Sequence, residues 1–215
     1  MKRPAQRLVV IALALLLVVP IGAVGLSQLL GPDQEDPAAE SSAPVDQRPE
    51  VDPADQPPRP ELPRPEEPAG LTEQTAEGAE ATLTYLLESY AYMMSSGDVS
   101  VWANSVDPNC QVCVTFLDNA ALLAEQDGYM VGGAFEVQGT SFTGTGEPPA
   151  TGEVTADFAQ QESTIVDDPT RAPTPVDAVS GQIVAQIAWD GQRWRVTDMS
   201  LGAAEGAGAS DAGEG

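Results

Sequence analysis

Two periods of apolar spacing divide this chain. Ala79, Leu83, Leu86, Leu87, Tyr90, Met93 and Met94 recur at three- and four-residue intervals, which puts them on one face of a helix. Thr72 or Thr75 is placed to cap its start, Glu73, Glu77 and Glu80 suit the positive end of the helix dipole, and Gly97 suits its stop. One amphipathic helix of about five turns is predicted. A short second helix from Val99, capped by Asp98, carries Trp102 inward. A third runs from near Cys110 to Gln126, with Phe116, Leu117, Ala120, Ala121, Leu123 and Ala124 on its apolar side and Gly128 ending it.

From Ala134 the period falls to two. Phe135 and Val137 alternate with Glu136 and Gln138, Val154, Ala156 and Phe158 with Thr155 and Asp157, and Ile183, Ala185, Ile187 and Trp189 with Val184, Gln186 and Ala188. Each run reads as a strand with one face toward a core. "WDGQRWRV" turns tightly at Asp190-Gly191 and returns Trp194 and Val196 along a partner strand, while residues 167–177, with three prolines, read as a long loop. Helices first and four or five antiparallel strands afterwards predict an α+β domain, its N-terminal helices packed on a curved antiparallel sheet. Gly132-Gly133 lacks the spacing of a phosphate loop.

The flanks differ in kind. Lys2, Arg3 and Arg7 precede an apolar run from Leu8 to Leu26, so residues 1–31 read as a transmembrane anchor or a signal peptide. The 19-residue length favours an anchor; Ala23-Val24-Gly25 offers a cleavage site. Either way the basic flank stays inside and the rest is exported. Residues 32–70 hold eleven prolines and eleven acidic residues against three arginines, a composition that predicts a disordered linker. The α+β domain is expected over 71–201, with a disordered Gly/Ala tail over 202–215. Within the linker, Arg59-Pro60-Glu61-Leu62-Pro63-Arg64-Pro65 has the composition of a ligand for a proline-recognising module, though a spacer role accounts for the same residues.

Charge and chemistry narrow the function. A net charge of −24 with a single lysine argues against nucleic acid as partner, because phosphate binding needs clustered cations. The absence of histidine removes Ser-His-Asp and Cys-His catalysis and the commoner zinc and iron ligand sets, so no metal or cofactor is called for. Cys110 and Cys113 remain. Outside the membrane such a pair is normally joined, which predicts a structural disulfide at the entry to the third helix; a catalytic dithiol is the alternative. Glu88, Asp118, Tyr90 and Tyr92 could serve acid-base chemistry, but their types recur by chance on an acidic domain.

The order of elements and the closing "IAWDGQRWRVTDM" hairpin resemble the nuclear-transport-factor-like, or cystatin-like, α+β cone. Residues 60–200 resemble a family of uncharacterised exported lipoproteins of high-GC Gram-positive bacteria, through Glu77-Gly78-Ala79, Gly97-Asp98 and the Cys110/Cys113 pair. Those lipoproteins carry a cysteine at the end of the signal sequence, and here none precedes Cys110. The resemblance implies a fold and an exported location, and no activity. The sequence identifies no specific function. It favours a membrane-anchored binding or accessory module of the cell envelope, on a single-pass anchor with the domain outside, whose partner is an envelope protein or a small ligand. An isomerase- or dehydratase-like enzyme using the cone's cavity, a thiol redox protein, and a form secreted after signal cleavage are the alternatives.

Overall fold

The computed structural model of the chain describes residues 46–145 and 150–201. The apolar run Leu8 to Leu26, the first part of the linker and the tail 202–215 lie outside them. Among the described residues, no helix is long and apolar enough to cross a membrane.

The long amphipathic segment folds as two helices, α1 (Ala76–Glu88) and α2 (Tyr90–Ser96). Thr75 caps α1, its hydroxyl oxygen accepting from the Gly78 N–H at 3.0 Å. The single five-turn helix is interrupted at Ser89, whose hydroxyl donates to the Leu86 carbonyl three residues back, a local bond that competes with the helical ladder. Gly97 ends α2 with the left-handed φ of 76° that glycine takes without strain. Two further helices follow, α3 (Ser100–Ala103) and α4 (Gln111–Glu125). At the end of α4 the left-handed residue is Asp127, φ 58°, and not Gly128 as the sequence suggested. Gly128 answers a different need. A Cβ there would stand 2.6 Å from the Val166 carbonyl oxygen and 2.9 Å from that of Leu123.

Among the described residues seven strands follow: β1 (Tyr129–Gly132), β2 (Phe135–Thr145), β3 (Thr151–Gln160), β4 (Ser163–Val166), β5 (Thr174–Val176), β6 (Val179–Trp189) and β7 (Trp194–Leu201). The four with clear alternation form one antiparallel sheet, ordered β2-β3-β6-β7. The three short ones form a second, β1-β4-β5, which the sequence pattern did not reveal. Strand β5 lies inside the stretch read as a loop, and pairs through Ser163↔Val176 and Ile165↔Thr174. Its Pro175 sits on an edge strand, where a missing N–H is tolerated. The Asp190-Gly191 hairpin uses four residues, since Trp189 pairs with Trp194 and the Asp190 carboxylate accepts from the N–H groups of Gln192 and Arg193 at 2.8 and 2.9 Å.

Register aligns the inner face of the larger sheet in rows. Phe142, Val154, Ala185 and Met199 make one, Thr140, Ala156, Ile183 and Leu201 the next, and Val137, Phe158 and Gly181 a third. Breaks in register at Val137/Gly139 and Gln186/Ile187 mark bulges, which bend a sheet and raise its twist. Helix α1 packs on this face with Leu83, Leu86 and Leu87 fully buried, and the Thr140 hydroxyl donates to Glu80 at 3.0 Å. The result is the helix-on-antiparallel-sheet α+β architecture that the sequence predicts.

The linker behaves differently from its expectation over its second half. Residues 49–70 lie along the domain as a strap. The Val51 N–H donates to the Thr170 carbonyl, the Gln56 amide to the carbonyls of Pro169 and Arg171, and Leu71 is 1% exposed. The contacts therefore begin near Pro49 and not at Leu71. What composition missed is that an extended segment needs few apolar residues when its carbonyls, amides and arginines find partners on a neighbour.

At the junction of strap and helix, the Trp194 indole N–H donates to the Glu73 carbonyl at 2.9 Å. A Cβ on Gly78 would come within 2.2 Å of that oxygen and 2.5 Å of the Gly70 carbonyl. Gly78→Ala is therefore expected to destabilise the domain by about 1–3 kcal/mol, read as a lowered melting temperature. Limited proteolysis with mass measurement is expected to leave a resistant fragment that starts near residue 49; one starting near 71 would show that the strap is not held.

Candidate functional site

Where the helices meet the far rows of the sheet, five aromatic rings join. Tyr90 of α2 stands 6.0 Å from Trp102 of α3, 5.9 Å from Phe116 of α4 and 5.5 Å from Phe135 of β2. Trp102 and Phe116 are 5.3 Å apart, as are Phe135 and Phe158 of β3. Tilted and edge-on pairs of this kind add about 0.5–1.5 kcal/mol each beyond area burial. Tyr90, Trp102 and Phe158 are buried, whereas Phe116 and Phe135 keep part of their surface open, as do Val112, Leu117 and Val137 around them. The Trp102 indole N–H is buried without a hydrogen-bond partner. Burial pushes the Tyr90 hydroxyl up to about 12.

The cysteine pair anchors one wall of this cluster. Cys110 and Cys113 are joined, with sulfurs 2.06 Å apart and exposures of 1% and 0%. Cys110 also caps α4, its sulfur accepting from the Cys113 N–H at 3.3 Å. Phe116 lies one turn beyond Cys113 on the same helix face, so the bridge fixes the turn that delivers that ring to Trp102. Burial of both sulfurs leaves no face for the thiolate attack that disulfide exchange requires.

A second cluster lies where the strap crosses the helices. The Arg59 guanidinium sits 4.8 Å from the centre of the Tyr129 ring and donates to the carbonyls of Asp127 and Gly128 at 2.9 and 3.3 Å. Arg64 pairs with Asp98 and donates to the Ser100 hydroxyl at 3.0 Å. Asp98 is the best-partnered carboxylate of the region. The Ser100 hydroxyl at 2.5 Å does most to hold it below the usual carboxylate range, burial opposes this, and the Ser100 N–H, the Tyr92 hydroxyl and Arg64 add to the lowering. Arg171 with Glu50 and Arg193 with Glu67 make two further strap contacts, at 3.5 and 3.4 Å.

The acid-base residues named from the sequence do not converge. Glu88 and Asp118 are exposed on α1 and α4, Tyr90 lies inside the aromatic cluster, and Tyr92 turns to Asp98. The arginines of the proline-rich motif are both engaged by the domain. The aromatic cluster went unnoticed as a unit because its rings come from five separate elements. Asp98 was visible only as a helix cap, since its partner Arg64 lies 34 residues away.

Fold and clusters together define an α+β domain with a partly open aromatic cluster and an extended N-terminal strap docked on it by hydrogen bonds and ion pairs. The chain belongs to the family of unknown function DUF6318, whose model matches residues 50–200, most of the strap included. No curated protein matches the chain in sequence. Among solved structures it is similar to the intermembrane-space region of the chloroplast protein ARC6, at 15% identity over 59% of this chain and 95% of that one, TM-score 0.43. It is also similar to a protein described as the beta subunit of an aromatic-ring-hydroxylating dioxygenase from Novosphingobium aromaticivorans, at 10% identity over 58% and 88% of the two chains, TM-score 0.38. A protein of unknown function from Mycobacterium tuberculosis is similar at 13% identity over 56% and 73%, TM-score 0.35.

Two measurements follow from this geometry. Closing a loop of about four residues gives a disulfide about 2 kcal/mol on chain-entropy grounds, so replacing both cysteines by serine is expected to lower the melting temperature by on the order of 5 °C. Tyr90 and Tyr85 are both raised above the ordinary tyrosine value by burial, Glu67 adding to the effect at Tyr85. Their neutral forms fit the fold and their anions do not, so this stability is fully present below pH 10 and is lost as pH rises toward about 12. Tyrosinate absorbance is expected to show Tyr90 ionising late, together with unfolding; a Tyr90→Phe variant is expected to unfold at higher pH than the parent.

Proposed function

We propose that the chain is an exported binding or accessory module of the cell envelope, held at the membrane by the apolar segment Leu8 to Leu26, which binds an envelope protein or a small ligand through the aromatic face around Phe116 and Phe135. The observation that carries this reading is the partly open aromatic cluster. Its rim, formed by Val112, Phe116, Leu117, Phe135 and Val137, leaves apolar and aromatic surface partly open beside a buried core. A ligand or partner residue with an apolar or aromatic body suits such a surface.

Against proton-transfer chemistry stands the electrostatics. Asp98 and Asp190, two carboxylates whose acidity the fold shifts among the described residues, are both held below the ordinary range, opposite to what a proton-donating acid at neutral pH needs. The exported location is supported by the basic flank and apolar run at the N-terminus and by the joined, buried cysteine pair.

Protease added to intact cells is expected to remove the domain; full resistance until lysis would overturn the export reading. Photo-crosslinking residues placed at positions 116 and 135 of the full chain in live cells are expected to give discrete adducts, with none from position 198 on the exposed opposite face of the sheet. Equal labelling at all three positions would overturn the binding face.

A further inference from the structure

The strap has the chemistry of a ligand. Asp52, Gln56 and Pro68 take φ/ψ values of −70°/131°, −66°/148° and −62°/143°, the polyproline II region, and no helix or strand occurs between residues 57 and 68. Pro57 and Pro60, three residues apart and thus one polyproline turn, are partly buried while Pro58, Glu61, Leu62 and Pro63 are exposed. Extended proline-rich ligands are recognised by aromatic rings that receive the prolines and by acids that receive a flanking arginine. The domain offers an aromatic residue that bonds a proline carbonyl and stacks under an arginine, and an acid that receives a second arginine. The Tyr129 hydroxyl donates to the Pro57 carbonyl, its ring lies under Arg59, and Asp98 receives Arg64.

The receiving groups are organised by the domain itself. Asp98 is held by the Ser100 N–H at 3.1 Å, the Ser100 hydroxyl and the Tyr92 hydroxyl. The carbonyls of Asp127 and Gly128 are fixed by the left-handed turn that closes α4. None of this needs the strap, so the site is preorganised and its occupant is separable.

The geometry points to a recognition groove for an extended, arginine-bearing proline-rich segment, formed by Tyr92, Asp98, Ser100, Asp127 and Tyr129, with residues 57–67 of the same chain as its resident intramolecular ligand. Such a groove is a binding site in its own right, distinct from the aromatic face and independent of the export reading. Held in cis, the strap occupies it at high effective concentration, and a competing segment of the same chemistry displaces it.

The test uses the full chain in detergent and a fluorescein-labelled peptide of residues 56–68. The double variant Arg59→Ala/Arg64→Ala, whose strap has lost both of its own arginine anchors in the groove, is expected to bind the peptide at least tenfold more tightly than the parent, by fluorescence anisotropy. Adding Asp98→Asn is expected to weaken that binding about tenfold. A double variant folded by circular dichroism that binds no peptide overturns the proposal. Where that variant does not fold, the parent chain decides. Excess unlabelled peptide is expected to accelerate cleavage after Glu61 by a glutamate-specific protease several-fold, and a peptide with both arginines changed to glutamine is not; no acceleration at saturating peptide overturns the proposal. A dimer that the peptide dissociates would overturn the intramolecular assignment in favour of strap exchange between copies.

Discussion

The hydrogen bond from the Trp194 indole to the Glu73 carbonyl, made beside a residue with no side chain at Gly78, seats the first helix on the sheet. Three pieces of chain meet there: the end of the strap, the first turn of α1 and the start of β7. Any side chain at position 78 would push the helix start off two backbone carbonyls, and backbone yields less readily than the tip of a side chain. With its start fixed, α1 lays its buried face, which carries Leu83, Leu86 and Leu87, against β2, β3 and β7, and the Ser89 break then aims Tyr90 at the aromatic cluster. The strap's last residues and the inner face thus share one anchor.

The same economy governs the opposite side of the cluster. Helix α4 makes limited contact with the rest of the domain, chiefly with α2 and β7, so its orientation depends on how it enters. The buried Cys110-Cys113 bridge and the parallel bridge of Val106 to Val196 set that entry. Phe116 then reaches Trp102 and Tyr90, and the wall formed is buried at its base while its rim of Val112 and Leu117 stays partly open.

Charge plays an unusual part in a chain this acidic. Arginine is scarce, and each of the six among the described residues is committed: Arg48 to Asp46, Arg59 to Tyr129 and the carbonyls after α4, Arg64 to Asp98, Arg171 to Glu50, Arg193 to Glu67 and Arg195 to Asp190. Four of these join strap to domain. Isolated exposed pairs are worth about 0–1 kcal/mol, so no single one holds the strap; their distribution along it specifies where it lies. Where cations are few and acids many, the placement of each arginine selects a path for an otherwise featureless acidic segment.

Periodicity alone marked the helical segments, though not the break at Ser89, together with the four long strands and the α+β class, because burial of one face imposes a repeat of 3.6 or 2 that survives in any sequence that folds so. The spacing of Cys110 and Cys113 at a helix start was equally legible, being local. The tertiary structure decided the rest. Strands β1, β4 and β5 are three or four residues long and pair across the chain, too short to show a period. The aromatic cluster is assembled from residues 90, 102, 116, 135 and 158, whose proximity depends on how helices cross a bent sheet. The strap reads as disorder in composition, since its few apolar residues cannot drive folding alone. What orders it is a set of partners 34 to 126 residues away, Asp98, Asp127, Thr170, Arg171 and Arg193, and hydrogen bonds and ion pairs over such separations leave no pattern in the linear chain.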